Sequence, residues 1–483
     1  MPNEDAGALP PNEIRTYFVK VEPESFSEEE FTDIQDQGYV VMDGVAADWP
    51  GFRAGAFSLD ANQLADGPAE RYWQNLFSDT GTSSSSAFEG LPAARISISR
   101  TAIGQAEAWN DTINFDETWF EVDLEPAASD EGSVVLYPSL DTSESVTLTL
   151  ARDIRVSPFS TALERMFSMV AWPEASTQDI DKALAGLPYS PQLLAYNVGQ
   201  GSASAILDTG GQPRLYIDVG AGVFWNKKTT PHDLKFCSCG RPPVILTHWD
   251  ADHWSGVRHD PGLLASTWLA PRQNIGVFHA RLADNVIHAG GAMLIVSNFY
   301  KKTSMHHPQH WSTPPRQPQS LEIASCTGTD RNNSGLAVKV SDHERKLSWL
   351  VTGDASYASI PTFAHTYPMA ALTVPHHGAA QDAGSVAPLP PSSRYSRAMY
   401  SFGEANSYDH PRLSATTLHV NSGFIHDPQP LAGKVGVASG PQVLATTDFR
   451  PAGSRFGIAA GWRQAPYLPA HLQACLTPFT VAR

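Results

Sequence analysis

The segment LTHWDADHWSG, residues 246–256, gathers His248, Asp250, Asp252 and His253 directly after the apolar run VIL. Ionisable groups are costly to bury unless they are paired or bind a metal. The segment therefore reads either as a solvated polar turn or as a metal site. Imidazole and carboxylate are ligands for zinc, manganese or iron. Alternate residues leaving a strand point the same way. That lets His248, Asp250 and Asp252 converge, with His253 reaching in as the chain turns before Gly256.

Further clusters follow the same rule. Asp218 ends the run IDVG, Asp354 follows a hydrophobic run in VTGDAS, and His376 and His377 follow another in VPHHGA. NSYDHP brings Asn406, Tyr408 and His410. His or Asp at successive strand ends is what a two-metal site needs, with a carboxylate such as Asp354 bridging both ions. Two ions about 3.5–4 Å apart activate water and clamp a phosphate oxygen. Each cluster alone has a plainer reading: Asp354 as a turn residue, His377 as a satisfied core histidine. Lys227 and Lys228 read as a phosphate contact or, more simply, as a solvated pair. Trp249 and Trp254 flank the HWDADH stretch and would either stack on a base or wall the site. Cys237 and Cys239 form CSC, but no second pair completes a zinc site, so they read as thiols. His306, His307 and His310 sit in a long polar stretch and read as solvated.

The elements that must position these groups divide the chain in two. Its 483 residues suggest two or more domains. Residues 1–190 hold 33 Asp+Glu against 10 Lys+Arg, a net −23, and residues 191–483 hold 17 against 23, a net +6. The first part mixes an acidic helix candidate (SFSEEEFTDIQDQ) with β-like runs such as YVVMDGV, ARISIS and SVTLTLA. It is expected to be a separate α+β or mostly β domain, a candidate regulatory or partner-binding module. From residue 192, short apolar runs (QLLAYNV, SAILDT, RLYIDVG, PPVILTHW) alternate with Gly, Pro and Asp turns. Chemistry sits just past the strand ends, as in α/β scaffolds. No run is long enough to span a bilayer, and four cysteines are no disulfide framework, so a cytoplasmic protein is expected.

This ordered series resembles the metallo-β-lactamase superfamily, and within it the soluble hydrolase domain of ComEC-type competence proteins and their stand-alone relatives. The likeness runs from about Leu193 to His410, with a weaker echo to Ile458. VGQG (198–201) is similar to the DVGQGD entry strand, HWDADH to the metal motif in its HxDxDH form, and NNSGLAV (332–338) to the NxS strand. TGDA, PHHGA and NSYDHP match later positions, and ATTDF with GSRFGI resembles the closing hairpin. Asn197 and Ser202 replace the two usual Asp of DVGQGD, and Ala379 replaces the usual Ser of HHGS. The middle ligand Asp250 hardens the site toward an oxygen-preferring ion.

The resemblance implies an α/β, αββα sandwich for residues 191–483. It implies two divalent ions, manganese or zinc with magnesium possible, on His248, Asp250, Asp252, His253, Asp354 and His376. Asp252, His377 and His410 are the catalytic candidates, and Asn406, Tyr408, Lys227 and Lys228 the substrate-binding ones. The activity expected is phosphodiester hydrolysis of DNA. Hydrolysis of a small phosphodiester, lactone or thioester is the rival within enzymes. A different class of reading makes the protein a regulated component of a defence or DNA-processing assembly, with residues 1–190 as the interaction module.

Overall fold

Short apolar runs, many of them buried on both faces, build three seven-stranded sheets. The computed structural model describes residues 13–22, 38–53, 57–59, 67–78, 86–103, 114–127, 132–190, 192–305, 319–392, 395–425, 442–447 and 457–463. The acidic helix candidate, most of the SSSS tract, His306, His307, His310 and residues 448–456 of the expected closing hairpin lie outside these.

The described chain forms two compact units. One comprises Met1–Pro173 with Val223–Trp225 and Asn274–Ala289, and the other comprises Glu174–Gly222, Asn226–Gln273 and Gly290–Arg483. The sequence reading placed the division at residue 190, so residues 174–190 fall in the second unit and two later excursions fall in the first.

The first unit is built on an antiparallel sheet. Strand Arg15–Val21 pairs with Tyr39–Ala46 on one side and Trp119–Pro126 on the other, which closes the sheet into a barrel-like form. Val19, Met42, Ile96, Ile98, Phe120, Val122 and Leu124 fill its core. Its described ion pairs include Arg95 with Asp43 at 2.8 Å, Arg155 with Glu121 and Asp123, and buried Lys20 with Glu164 at 2.7 Å. Helix Val277–His288, distant in sequence, belongs to this unit. Its Asp284 accepts hydrogen bonds from Tyr72 and Ser86, and its Phe278, Leu282 and Val286 are buried.

The second unit holds the other two sheets. One runs Ala292–Val296, Thr267–Pro271, Val244–Ile245, Pro213–Val219, Ala203–Leu207, Gln192–Tyr196, Gly457–Ala460. The other runs Tyr300–Met305, Gln319–Ser325, Leu336–Asp342, Leu347–Val351, Met369–Thr373, Ala398–Tyr400, Val443–Ala445. Ile206, Leu215, Ile217 and Ile245 from the first share one core with Leu321, Ile323, Val338, Val340 and Val351 from the second. The unit is thus a two-sheet sandwich. Its sheets repeat one plan: an antiparallel meander (192–219; 319–351) continues into parallel strands (244–296; 369–445). No repeat was legible in the sequence, because the plan lies in strand pairing and not in residue identity. Asp218 ends the meander of one sheet and Asp354 follows that of the other; HWDADH and PHHG follow the next strand of each.

Candidate metal centre

Asp218 sits at the end of strand Pro213–Val219, fully buried, in a left-handed backbone conformation (φ 57°). Its Oδ1 accepts the backbone N–H of Thr247 and its Oδ2 the Thr247 hydroxyl, both at 2.8 Å. Oδ2 also lies 2.8 Å from Nδ1 of His253. A carboxylate so placed can only accept, so Nδ1 of His253 carries a proton, and in the neutral, metal-binding form of the ring Nε2 is the nitrogen left with a lone pair. The Thr247 hydroxyl has one proton, given to Asp218. Its oxygen therefore accepts from His248 Nδ1 at 3.1 Å, which leaves the His248 Nε2 lone pair bare. His377 Nδ1 donates to the carbonyl of Ser401 at 2.8 Å, with the same result.

The three Nε2 atoms are buried and make no hydrogen bond among the described residues. They surround one carboxylate. Asp354 Oδ1 is 3.0 Å from His253 Nε2, and its Oδ2 is 3.5 Å from His377 and 3.7 Å from His248. Asp252 Oδ2 is 3.2 Å from His377 Nε2. Ligands about 2.1 Å from a shared tetrahedral ion lie roughly 3.4 Å from one another, so these separations fit a metal. Two groups are suited to hold one: His248, His253 and Asp354, and Asp252, His253 and His377. Burial works to lower the His253 pKa, but the carboxylates of Asp354, Asp218 and Asp252 raise it well above its ordinary value. Burial likewise raises that of Asp354, yet the surrounding imidazoles, His253 first, hold it well below the carboxylate range.

Close backbone contacts set the loops. A Cβ at Gly220 would lie 1.6 Å from the Asp252 carbonyl oxygen, and one at Gly353 would lie 2.2 Å from the Thr247 hydroxyl. Only glycine lets the IDVG and VTGD turns meet the metal-motif loop. His376 and His377 are both left-handed (φ 50° and 54°), a strained state for non-glycine residues and one that clusters at functional sites.

The other sequence candidates are placed as follows. His376 is partly exposed, with Nε2 3.7 Å from Asp354 Oδ2; it is the deeper His377 that completes a ligand group. Asp250 is near His248 (3.3 Å) but also 2.9 Å from Nη1 of buried Arg331. His410 is buried beside His376, ring centroids 5.5 Å apart. Burial, then the neighbouring His376 and His377, hold its pKa well below the usual value. Asn406 organises its own turn: its Oδ1 accepts the N–H groups of Tyr408 and His410, and its Nδ2 donates to the carbonyls of Gly403 and His410. Tyr408 stacks on His410 at 5.6 Å. Lys227 and Lys228 lie on the short helix Phe224–Thr229, half-buried and exposed respectively. Trp249 and Trp254 are buried and donate to the carbonyls of Pro271 and Trp249, so they wall the site and offer no open face to a base. Cys237 is disulfide-bonded, against the thiol expected there, whereas Cys239 and Cys326 are free.

Sequence reasoning missed the roles of Thr247, Arg331 and Gln200. Gln200 Oε1 accepts the N–H of Gly403, and its amide nitrogen lies 3.5 Å from His410 Nδ1. Its place in VGQG was the available signal.

Two facing mixed sheets, with His and Asp ligands gathered on loops at matching strand ends of both, decide the fold. It is a mixed α/β two-sheet sandwich. No protein-family profile matches the sequence, and no curated protein does. Among solved structures, the chain is similar to zinc-bound PqqB from Methylobacterium extorquens (12% identity, 38% of this chain and 71% of that one, TM-score 0.23). It is also similar to the chemotaxis sensor ODP in a peroxy diiron state (14%, 36% and 64%, TM-score 0.21). A third is ST1585 of Sulfolobus tokodaii, an archaeal metallo-β-lactamase superfamily protein (14%, 35% and 64%, TM-score 0.20). The matched region spans less than two thirds of the latter two chains.

Proposed function

We propose that the protein is a metal-dependent hydrolase that cleaves phosphodiester bonds, with DNA as its substrate. The observation that carries the metallohydrolase reading is the convergence of three buried Nε2 atoms, none with a hydrogen-bond partner among the described residues, on Asp354 and Asp252. His248, Asp252, His253, Asp354 and His377 are the residues that would hold the metal. Their mixture of imidazole and carboxylate suits zinc or manganese, and suits magnesium poorly because it prefers oxygen ligands. A divalent ion there supplies Lewis acidity and lowers the pKa of water toward neutrality. Asp218 and Thr247 keep the ligand imidazoles in the tautomer that offers Nε2. Asp252, partly exposed, is placed to accept a proton at the mouth of the site. His376, at the rim, is placed to hold a phosphate oxygen or protonate the leaving oxygen. Buried His410, held neutral, backs His376 and serves as a positioning group.

DNA is favoured as substrate by the net +6 of residues 191–483. Residues 1–190, at −23, would form a docking surface for a basic protein partner. Among the described residues, no helix is long and apolar enough to cross a membrane. Because Cys237 is disulfide-bonded, the reducing cytoplasm forms no part of this reading.

The test is metal analysis of the full chain, with cleavage assays on plasmid DNA, single-stranded DNA, bis(p-nitrophenyl) phosphate, a lactone and a thioester, each with zinc, manganese or magnesium. Cleavage of both DNA and the small diester, lost together with bound metal in the Asp252→Ala/His253→Ala double variant, is expected. Turnover of the lactone or thioester alone would replace the substrate class, and full activity in the double variant would end the metallohydrolase reading.

A further inference from the structure

The two candidate ligand groups make competing claims on one atom. Each includes His253. The Nδ1 of that ring is committed to Asp218 at 2.8 Å, so only the Nε2 lone pair remains. One lone pair serves one ion. A second ion would need donors that do not pass through His253, and those on the far side of the cluster are His248, Asp250 and the second oxygen of Asp354.

Asp250 is already matched to a cation. Its Oδ1 lies 2.9 Å from Nη1 of Arg331, and the two side chains are only 11% and 3% exposed. The guanidinium is fixed by its loop. The Gln273 amide donates to the Arg331 carbonyl at 2.7 Å and to the Ser334 hydroxyl at 2.8 Å, and its oxygen accepts the N–H of Trp249 inside the metal-motif loop. On the other flank, Asn333 Oδ1 accepts the N–H of Ser356, two residues past Asp354. The loop bearing Arg331 is thus stapled to both metal-bearing loops. Removing one partner of a buried ion pair leaves the other charge buried and uncompensated. A dication bound at Asp250 would compete for that carboxylate and repel the guanidinium beside it.

We propose that the site takes a single metal ion, on Asp252, His253 and His377 with Asp354 and His248 beside it, and that the Arg331 guanidinium occupies the second ion's place as the fixed countercharge to Asp250. This rests on the proposed metallohydrolase reading and sharpens it. Arg331 cannot dissociate, so the positive charge on the His248 side is independent of metal supply.

The test titrates metal-free full-length protein with Zn(II) and, separately, Mn(II), read by isothermal titration calorimetry and by metal content after gel filtration. The wild type is expected to bind about one ion per chain, and Arg331→Gln, which keeps polarity but frees Asp250, about two. Asp250→Asn in an otherwise wild-type chain is expected to keep one ion per chain, because Asp250 is not a ligand; a folded Asp250→Asn that binds none would overturn that assignment. Two ions in the wild type, or one in a folded Arg331→Gln, overturns the proposal and leaves the hydrolase reading intact. No bound ion overturns both. If Arg331→Gln does not fold, the stoichiometries of the wild type and of Asp250→Asn decide the question.

Discussion

Oδ2 of Asp218 lies 2.8 Å from Nδ1 of His253, and that one contact decides which nitrogen of the central ligand faces the cluster. The carboxylate also holds Thr247, which in turn orients His248. Asp218→Ala should therefore weaken two ligands without removing either. Loss of such an orienting partner costs roughly 10–100-fold in metal affinity. A chelator-competition titration of wild type against Asp218→Ala checks this, and unchanged affinity would reduce Asp218 to a turn residue.

Asp354 is the carboxylate that the imidazoles share. His253, His377, His248 and His376 all come within 3.7 Å of it. Asn keeps its shape and loses the charge that offsets a cation. Asp354→Asn should lower metal affinity by at least about 100-fold, beyond the loss expected for an orienting residue. Turnover should fall with it. A variant that retains its metal and its rate would show that Asp354 only ends a strand.

Acid sensitivity should have a component far from the ligands. His419 is buried, accepts from Tyr357 through Nε2 at 2.8 Å, and donates through Nδ1 to the Ala415 carbonyl at 2.8 Å. Burial lowers its pKa from 6.5 to about 4. The folded state thus prefers neutral His419. Its contribution is present above pH 6.5 and lost as pH falls through about 4, roughly 3 kcal/mol in all at 1.36 kcal/mol per unit. Urea unfolding of wild type and His419→Gln between pH 7 and 4.5 should give a flatter stability profile for the variant. Parallel profiles would remove His419 as the cause.

Cutting the chain near Leu187 should not release an intact second half. Helix Val277–His288 belongs to the first unit, where Phe278, Leu282 and Val286 are buried and Arg281 donates to the Leu91 carbonyl. Each such side chain loses about 1.5–3 kcal/mol on exposure. The truncated protein is expected to bind a hydrophobic dye and to aggregate on gel filtration. A monomer that melts at the temperature of the full chain would show that this helix does not need its unit.

The sequence by itself determined where the chemistry is carried. Short apolar runs read as strands, and ionisable residues at their ends need a partner or a metal if buried, so the clusters around Asp218, His248, Asp354, His376 and His410 were legible one by one. The order of those clusters pointed to the two-sheet fold only through the family resemblance it carries. Which atoms meet is a different matter. His376 and His377 are adjacent and chemically identical, and only the left-handed turn at both directs His377 inward. Arg331 and Asp250 are 81 positions apart, and no periodicity relates them. The acidic first part carried charge but no pattern that implied a closed sheet, since its closure depends on Arg15–Val21 meeting Trp119–Pro126. Helix Val277–His288 reads as part of the catalytic half and folds with the other unit. Side-chain period and charge are local properties that a sequence displays. Pairing, tautomer and countercharge are set by contacts between distant segments, which exist only once the sheets have packed.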